Sequence, residues 1–166
     1  VLIHRLLERL PELPGDRRAD AAARWLARQA ADLSDETRAE MVQAAVRTLN
    51  DPACAALFAP EALAEVSLSA TVGTRVVAGT VDRLHLGNTP DDPIRIVDFK
   101  TARRPPERLD QVPPAYLRQM AAYACALEAI HPARTVEALL LYTHAPRIFT
   151  IPPEILEREK AALRGG

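Results

Sequence analysis

Two apolar segments joined by a short polar turn constrain this sequence more than any other feature. Residues 80–84 and 96–101 have the composition of strands, and the turn between them, 87–93, contains Gly, Asn, Asp and two Pro. A hairpin centred near residue 90 places Asp82 opposite Asp98. The sequence therefore predicts two carboxylates side by side in the middle of a sheet.

Lys100 is two residues from Asp98 and so lies on the same strand face. Two carboxylates facing each other repel by about 4 kcal/mol at about 4 Å and an effective dielectric of about 20. The apolar residues around them limit screening by water. We therefore expect a cation between Asp82 and Asp98, and a hard divalent ion held by oxygen ligands is the simplest candidate.

Lysine is scarce in this chain, which has nineteen arginines and only two lysines, Lys100 and Lys160. A lysine ammonium is compact and rotatable, and its pKa can be tuned, whereas that of arginine cannot. A lysine kept beside Asp98 in such an arginine-rich sequence indicates a chemical role rather than a general surface charge.

Length and composition are those of one ordinary globular domain, with 166 residues, 48% hydrophobic and 26% charged. The net charge of −1 is unusual for a free-standing nucleic-acid binder. No apolar run approaches the roughly 20 residues of a membrane span, and no signal peptide is visible. Cys54 and Cys125 lack metal-ligand spacing, so we expect core residues in a cytoplasmic protein.

Hydrophobic periodicity predicts an α/β fold with helices before and between the strands. The predicted helices cover 1–10, 17–31, 34–49, 53–58, 114–130 and 153–163, and the predicted strands cover 64–70, 75–86, 96–101, 136–143 and 147–151. We expect a single domain, 1–166, with a helical part over 1–60 and a sheet-containing core over 61–166. Because the sequence opens in the middle of a predicted helix without Met, we expect a fragment of a longer chain.

Glu65 is a further candidate because it precedes the same predicted hairpin. Taking 71–74 as a turn centred near 72–73 pairs Glu65 with Thr80, one diagonal step from Asp82 on the same face. A single glutamate on a strand is usually solvated. A glutamate directed at two aspartates is better explained as a third metal ligand or as a holder of metal-bound water.

Polar residues on two predicted helices and one loop complete the candidates. His4 lies at the edge of the apolar arc of its helix, where it is either a surface residue or reaches a neighbouring pocket. Gln119 and Tyr123 are neighbours on one helix flank, either hydrogen-bonded at the surface or holding a lysine or a phosphate. The Pro-rich loop after Lys100, either solvated or phosphate-binding, contains Arg103, Arg104 and Arg108.

The order of these elements resembles a known family. The segments 79–84 (GTVDRL), 97–101 (VDFKT) and 119–123 (QMAAY) are similar to the D…DxK…QxxxY signature of PD-(D/E)XK nucleases, with 2–8 (LIHRLLE) similar to the leading histidine-bearing helix. The particular resemblance is to the RecB-type nuclease domain at the C-terminus of AddA-type subunits of AddAB helicase–nucleases. DxK alone is a weak motif, but several elements in order over nearly the whole chain are specific.

This resemblance implies a restriction-endonuclease-like core and a deoxyribonuclease that uses Mg²⁺ or Mn²⁺. It implies that Asp82, Asp98 and the carbonyl of Phe99 bind the metal, with His4 as a further ligand and Glu65 holding a water or a second ion. Lys100 would stabilise the transition state, oriented by Gln119 and Tyr123. The implied setting is bacterial double-strand-break repair.

The implied partners are single-stranded DNA, a helicase in the same polypeptide and an AddB-like subunit. No GxxxxGK[ST] loop is present, so an ATPase would lie outside this sequence. Two cysteines are too few for the four-cysteine iron–sulfur site of AddB-type relatives, so we expect no such cluster. Two alternatives remain: a catalytically inactive module that grips DNA or docks a subunit, and a stand-alone structure-specific nuclease. The latter predicts a basic surface and an initiating methionine, which this sequence lacks.

Overall fold

A five-stranded mixed sheet with helices against both faces forms the centre of the protein in a computed structural model that describes residues 1–165. The helices are α1 (Leu2–Arg9), α2 (Gly15–Gln29), α3 (Asp35–Asn50), α4 (Pro114–Ile130) and α5 (Pro153–Arg164). The strands are β1 (Leu63–Val72), β2 (Arg75–His85), β3 (Ile94–Lys100), β4 (Val136–Tyr142) and β5 (Arg147–Thr150). The predicted class, a mixed sheet of about five strands flanked by helices with an N-terminal helical part, is confirmed.

The strands lie in the sheet in the same order as in the chain, from β1 to β5. Neighbouring strands are antiparallel except β3 and β4, which are parallel and are joined by α4. A parallel pair needs a crossover of this kind, because a tight turn can join only antiparallel strands. The crossover lays α4 across the face of the sheet that carries Asp98 and Lys100.

Two apolar cores lie on opposite faces of the sheet. On one face, Ile96 and Leu140 pack with residues of α4 and α5 such as Met120. On the other face, Val97 and Phe99 pack with the N-terminal helices α1 to α3. Since successive residues of β3 alternate between these cores, the strand is buried on both sides, as expected for a central strand in a parallel pair. No helix within residues 1–165 combines the length and apolarity needed to cross a bilayer.

Helix boundaries follow the local capping residues. Ser34 accepts a hydrogen bond from the N–H of Thr37 at 3.1 Å and so caps α3. Proline occupies the first turn of both α4 and α5, where its missing N–H costs nothing. The helix predicted over 53–58 is shorter than expected. Only Ala55–Phe58 is helical, as a 3₁₀ turn, because a turn occupies 52–54.

The register of the β1–β2 hairpin differs from the prediction. Val72 pairs with Arg75, so the turn is only two residues long, with Gly73 at φ +60°. Ser67, not Glu65, therefore pairs with Thr80. The prediction failed because the β-branched residues of 71–72, which favour strands, were assigned to the turn. The shift is two residues, so Glu65 keeps its predicted face.

A buried lysine joins the last helix to α4. Lys160 is only 2% exposed, and its ammonium donates hydrogen bonds to Glu128 and, at 2.6 Å, to Glu157. Arg164 donates to the second oxygen of Glu128 at 3.0 Å. Burial opposes the charged form of Lys160, but the hydrogen bonds that its ammonium donates to Glu128 and Glu157 outweigh burial and raise its pKa. This network fixes α5 against α4.

Candidate active site

Strands β2 and β3 part where each carries an acidic residue. Their backbone pairing ends at Arg83 and Val97, and continuing that register places Asp82 opposite Asp98 as predicted. At this point Oδ2 of Asp82 accepts a hydrogen bond from the N–H of Phe99 at 2.5 Å. The carboxylate thus takes the place of a backbone carbonyl, which satisfies the buried N–H.

Asp98 and Lys100 form an ion pair on the face that α4 covers. The Lys100 ammonium lies 2.6 Å from Oδ2 of Asp98, and the two side chains are 13% and 9% exposed. Burial raises the pKa of Asp98, and the hydrogen bond and charge of Lys100 only partly oppose this shift. The nearby charge of Asp82 raises that pKa further. The carboxylate pair therefore carries negative charge that one ammonium does not fully compensate.

Helix α4 holds the other side of Lys100. The ammonium donates to Oε1 of Gln119 at 3.0 Å, and Nε2 of Gln119 donates to the hydroxyl of Tyr123 at 3.1 Å. The ammonium also lies 3.8 Å from the ring centroid of Tyr116, a cation–π contact that sequence reasoning missed. Tyr116 is one helical turn before Gln119 on the same flank, so the signal was present in the sequence.

Gly79 on β2 makes room for the side chain of Tyr123 on α4. A Cβ at position 79 would lie 2.5 Å from Cε1 and 2.6 Å from the hydroxyl oxygen of Tyr123. No side chain fits at that distance, so the close approach of β2 to α4 requires glycine there. The glycine at the start of the GTVDRL segment thus allows the ring of Tyr123 to reach Gln119.

His4 on helix α1 contacts Asp82. Its Nδ1 lies 3.4 Å from Oδ1 of Asp82, and its ring meets the Phe99 ring edge-on at a centroid distance of 5.6 Å. The His4 side chain is 27% exposed. Of the two readings left open by the sequence, the structure supports the one in which His4 reaches a neighbouring pocket.

Arg83 fixes α1 in this position, and sequence reasoning gave it no role. Its guanidinium donates to the carbonyl of Leu7 at 2.6 Å and to those of Glu8 and Ala62. It also lies over the ring of Phe58 at 5.1 Å. Arginine near the C-terminus of a helix satisfies its last carbonyls and complements its dipole. A charged residue inside an apolar strand segment was the available signal.

Glu65 completes a row of three acids across β1, β2 and β3. It lies between the pairs Ala64–Arg83 and Val66–Val81, and so stands across from Asp82. Its backbone is left-handed, with φ +51°. Partial burial, then the charge of Asp82, raises its pKa. Glu65, Asp82 and His4 line one cavity of about 580 Å³.

A second cavity of about 420 Å³ opens beside Lys100, Phe99 and Tyr116. Arg104 lines this cavity, whereas Arg108 is exposed and paired with Asp110 at 2.9 Å. Arg103 is exposed in the same loop. The structure therefore brings one of the three predicted loop arginines to the site.

The comparisons with known proteins agree with this geometry. A sequence model of the PD-(D/E)XK nuclease superfamily matches residues 1–163. The chain belongs to this superfamily. No protein of curated function matches the sequence.

One solved structure has a similar fold over most of this chain. A crystal structure at 2.19 Å of a protein described as an exonuclease from Eubacterium rectale superposes with a TM-score of 0.58 at 9% identity, over 91% of this chain. The match covers 61% of that protein's length. A protein designated SSO0001 gives a TM-score of 0.42 at 15% identity, covering 96% of this chain and 74% of its own.

PD-(D/E)XK nucleases typically use a divalent metal, and the donors of this site fit a hard cation. Among residues 1–165, no three His, Cys, Asp or Glu side chains form a ready-made metal cage. Lys100 contacts Oδ2 of Asp98, and Oδ1 of Asp82 lies 3.4 Å from Nδ1 of His4 in the cavity that Glu65 also lines. Two carboxylates and one backbone carbonyl suit Mg²⁺, which keeps several waters and needs few protein ligands. Both cysteines are buried core residues.

Proposed function

We propose that this chain is the metal-dependent deoxyribonuclease domain of a helicase–nuclease, hydrolysing phosphodiester bonds largely without regard to sequence. The observation that carries the proposal is the relay of Asp98, Lys100, Gln119 and Tyr123 beside Asp82. A binding module has no need of a lysine held by Asp98, Gln119 and Tyr116 beside a second carboxylate. The exonuclease description of the Eubacterium rectale protein is consistent with such an activity.

In this proposal Asp82, Asp98 and the carbonyl of Phe99 hold Mg²⁺ or Mn²⁺, with His4 as a further ligand and Glu65 as the holder of a water or a second ion. The bound metal supplies Lewis-acid polarisation of the scissile phosphate and a water of lowered pKa.

Lys100 acts on the phosphate in this proposal. Two of its three N–H donors are directed at Asp98 and Gln119, and the ring of Tyr116 lies against the ammonium, so the ammonium has a defined orientation beside the cavity that a phosphate would enter. A donor fixed in advance stabilises charge that develops in the transition state without reorganisation. None of these residues reads a base edge, which supports sequence-independent cleavage.

The substrate and setting are also part of the proposal. We expect single-stranded DNA delivered by a helicase in the same polypeptide, with an AddB-like subunit, in bacterial double-strand-break repair in the cytoplasm. The net charge of −1 supports this, because a nuclease fed by a motor need not capture DNA itself. Weak cleavage by the isolated chain follows from the same argument.

The test is cleavage of single-stranded and double-stranded DNA, labelled at either end, with Mg²⁺, Mn²⁺, Ca²⁺ or EDTA. Asp98→Ala and Lys100→Ala should abolish cleavage that depends on Mg²⁺ or Mn²⁺, whereas the exposed control Asp110→Ala should retain it. Circular single strands separate internal from terminal cuts, and the labelled end gives polarity. DNA binding without cleavage under every metal condition would instead support the inactive gripping module.

A further inference from the structure

A groove between α1 and α2 carries four arginines that the proposed site does not use. Arg5 and Arg9 are one turn apart on α1, and Arg24 and Arg28 are one turn apart on α2. All four are exposed, and within residues 1–165 none makes a side-chain hydrogen bond or ion pair. We call the groove, lined by these arginines and by Leu6, Leu10, Leu13, Ala21 and Trp25, the arginine groove.

The floor of the arginine groove is apolar and contains the single tryptophan of the chain. The groove has a volume of about 210 Å³, and Trp25 is half-buried within it. Leu13 is 36% exposed at its edge. Aromatic side chains in a positively charged groove are the usual means of binding single-stranded nucleic acid, because bases stack on the ring while cations follow the backbone.

The arginine groove adjoins the cavity beside Asp82. Arg5 and Arg9 line both the groove and the cavity that contains His4, Glu65 and Asp82. Four arginines on one surface, none of them in an ion pair within residues 1–165, are a strong concentration of positive charge in a protein whose net charge is −1. Arginine also binds phosphate in a bidentate manner and stacks on bases, which lysine does not.

We infer that the arginine groove binds the sugar–phosphate backbone of a single strand on one side of the scissile bond, with a base stacked on Trp25. This inference rests on the proposed nuclease function and adds a path for its substrate. The arginine groove is separate from the loop of Arg103, Arg104 and Arg108, which lies on the Lys100 side of Asp82 and Asp98. The single strand of DNA would pass from the arginine groove over Asp82 toward Lys100.

The first measurement is binding of a 5′-labelled oligothymidylate of roughly 12 nucleotides in EDTA, by anisotropy and by Trp25 fluorescence. The variant is Arg24→Glu/Arg28→Glu, neither residue of which lies at the acids. The control is Arg47→Glu/Arg75→Glu, an equal charge change at exposed positions outside the groove. Equal melting temperatures of both variants and the wild type would show that each is folded.

We expect the groove variant to bind roughly tenfold more weakly or worse at low salt, with the control within about twofold. The slope of log K against log[salt] should fall in magnitude by about 1.4, because each phosphate contact to a single strand contributes about 0.7. Wild-type Trp25 fluorescence should change on binding. Cleavage of a roughly 4-nucleotide substrate should be unchanged while KM for the longer one rises.

Two outcomes overturn the inference. Equal affinity of the groove variant and the control would do so, leaving the groove to another occupant such as an acidic protein helix, and so would absence of measurable binding by the wild type. The nuclease proposal fails separately, if no metal supports cleavage. DNA binding that depends on the groove arginines, without cleavage in any metal, would support binding in the arginine groove and contradict the proposed nuclease activity.

Discussion

The ammonium of Lys100 lies 2.6 Å from the Asp98 carboxylate and 3.0 Å from the Gln119 carbonyl oxygen, so a strand and a helix fix it together. We expect Lys100→Met to lower the single-turnover cleavage rate by about 10²–10³, the usual loss for a preorganised donor. Lys100→Arg should restore little, because the planar guanidinium cannot occupy the same point between β3 and α4. Measurement of DNA affinity in EDTA provides the control. A variant that cuts at the wild-type rate would contradict the proposed role.

Gly79→Ala tests whether the hydrogen bonds from Tyr123 through Gln119 to Lys100 are needed for stability and cleavage. The new methyl group would overlap Tyr123, so we expect a loss of about 1–3 kcal/mol in the free energy of unfolding and weaker cleavage. Gly15→Ala is the matched control, since nothing lies within 4 Å of its added Cβ. Urea denaturation and cleavage rates are the measurements. Unchanged stability of the Gly79 variant would show that Tyr123 moves aside freely.

Arg83→Met should both destabilise the protein and loosen metal binding. Three carbonyls lose a charged donor, at a cost of about 2–4 kcal/mol, and α1 is no longer held with His4 against Asp82. His4→Ala should weaken metal binding to a similar degree with little loss of stability. Calorimetric metal titration alongside thermal denaturation distinguishes the two. Normal metal affinity in Arg83→Met would mean that α1 stays in place without it.

Asp98→Asn should stabilise the metal-free protein while abolishing cleavage. Burial raises the pKa of Asp98, so between its unfolded and folded pKa values the folded state binds more protons, and stability falls as pH rises through that window. The free-energy cost of ionising Asp98 in the folded wild type therefore grows with pH, whereas asparagine carries no such cost. In EDTA we expect a higher melting temperature for the variant at pH 7 and a smaller difference near pH 4.

Metal ions should make the wild type more stable than Asp98→Asn, the reverse of the order expected in EDTA. At 100 times its dissociation constant, an ion bound only by the folded state adds about 2.7 kcal/mol to the wild type and little to Asp98→Asn. Melting curves with saturating Mg²⁺ or Mn²⁺ provide the check. Equal shifts in the two proteins would place the ion elsewhere.

Much of the architecture was predictable because its signals are local. Prolines and Ser34 mark helix starts, and period-2 and period-3.6 patterns separate strands from helices. The pairing of Asp82 with Asp98 followed from the centre of one turn, and the common face of Asp98 and Lys100 followed from strand alternation. These arguments need no tertiary information.

The remaining features depend on contacts between distant segments. The partner of Glu65 was wrong because two β-branched residues were counted in the turn rather than in the strand. Arg83 and Gly79 owe their roles to what packs against them, α1 in one case and Tyr123 in the other, and a single sequence does not specify those neighbours. The arginine groove likewise exists only because α1 and α2 lie side by side.

The two lysines have a practical consequence for chemical labelling. Lys160 is buried under two glutamates, and Lys100 is the one lysine that faces a cavity. Amine-reactive reagents therefore meet no lysine on the open surface of this protein. The acylation rate of Lys100, followed by mass spectrometry, should slow when a phosphate-bearing ligand covers the site. It would give an occupancy assay that requires neither turnover nor a labelled substrate.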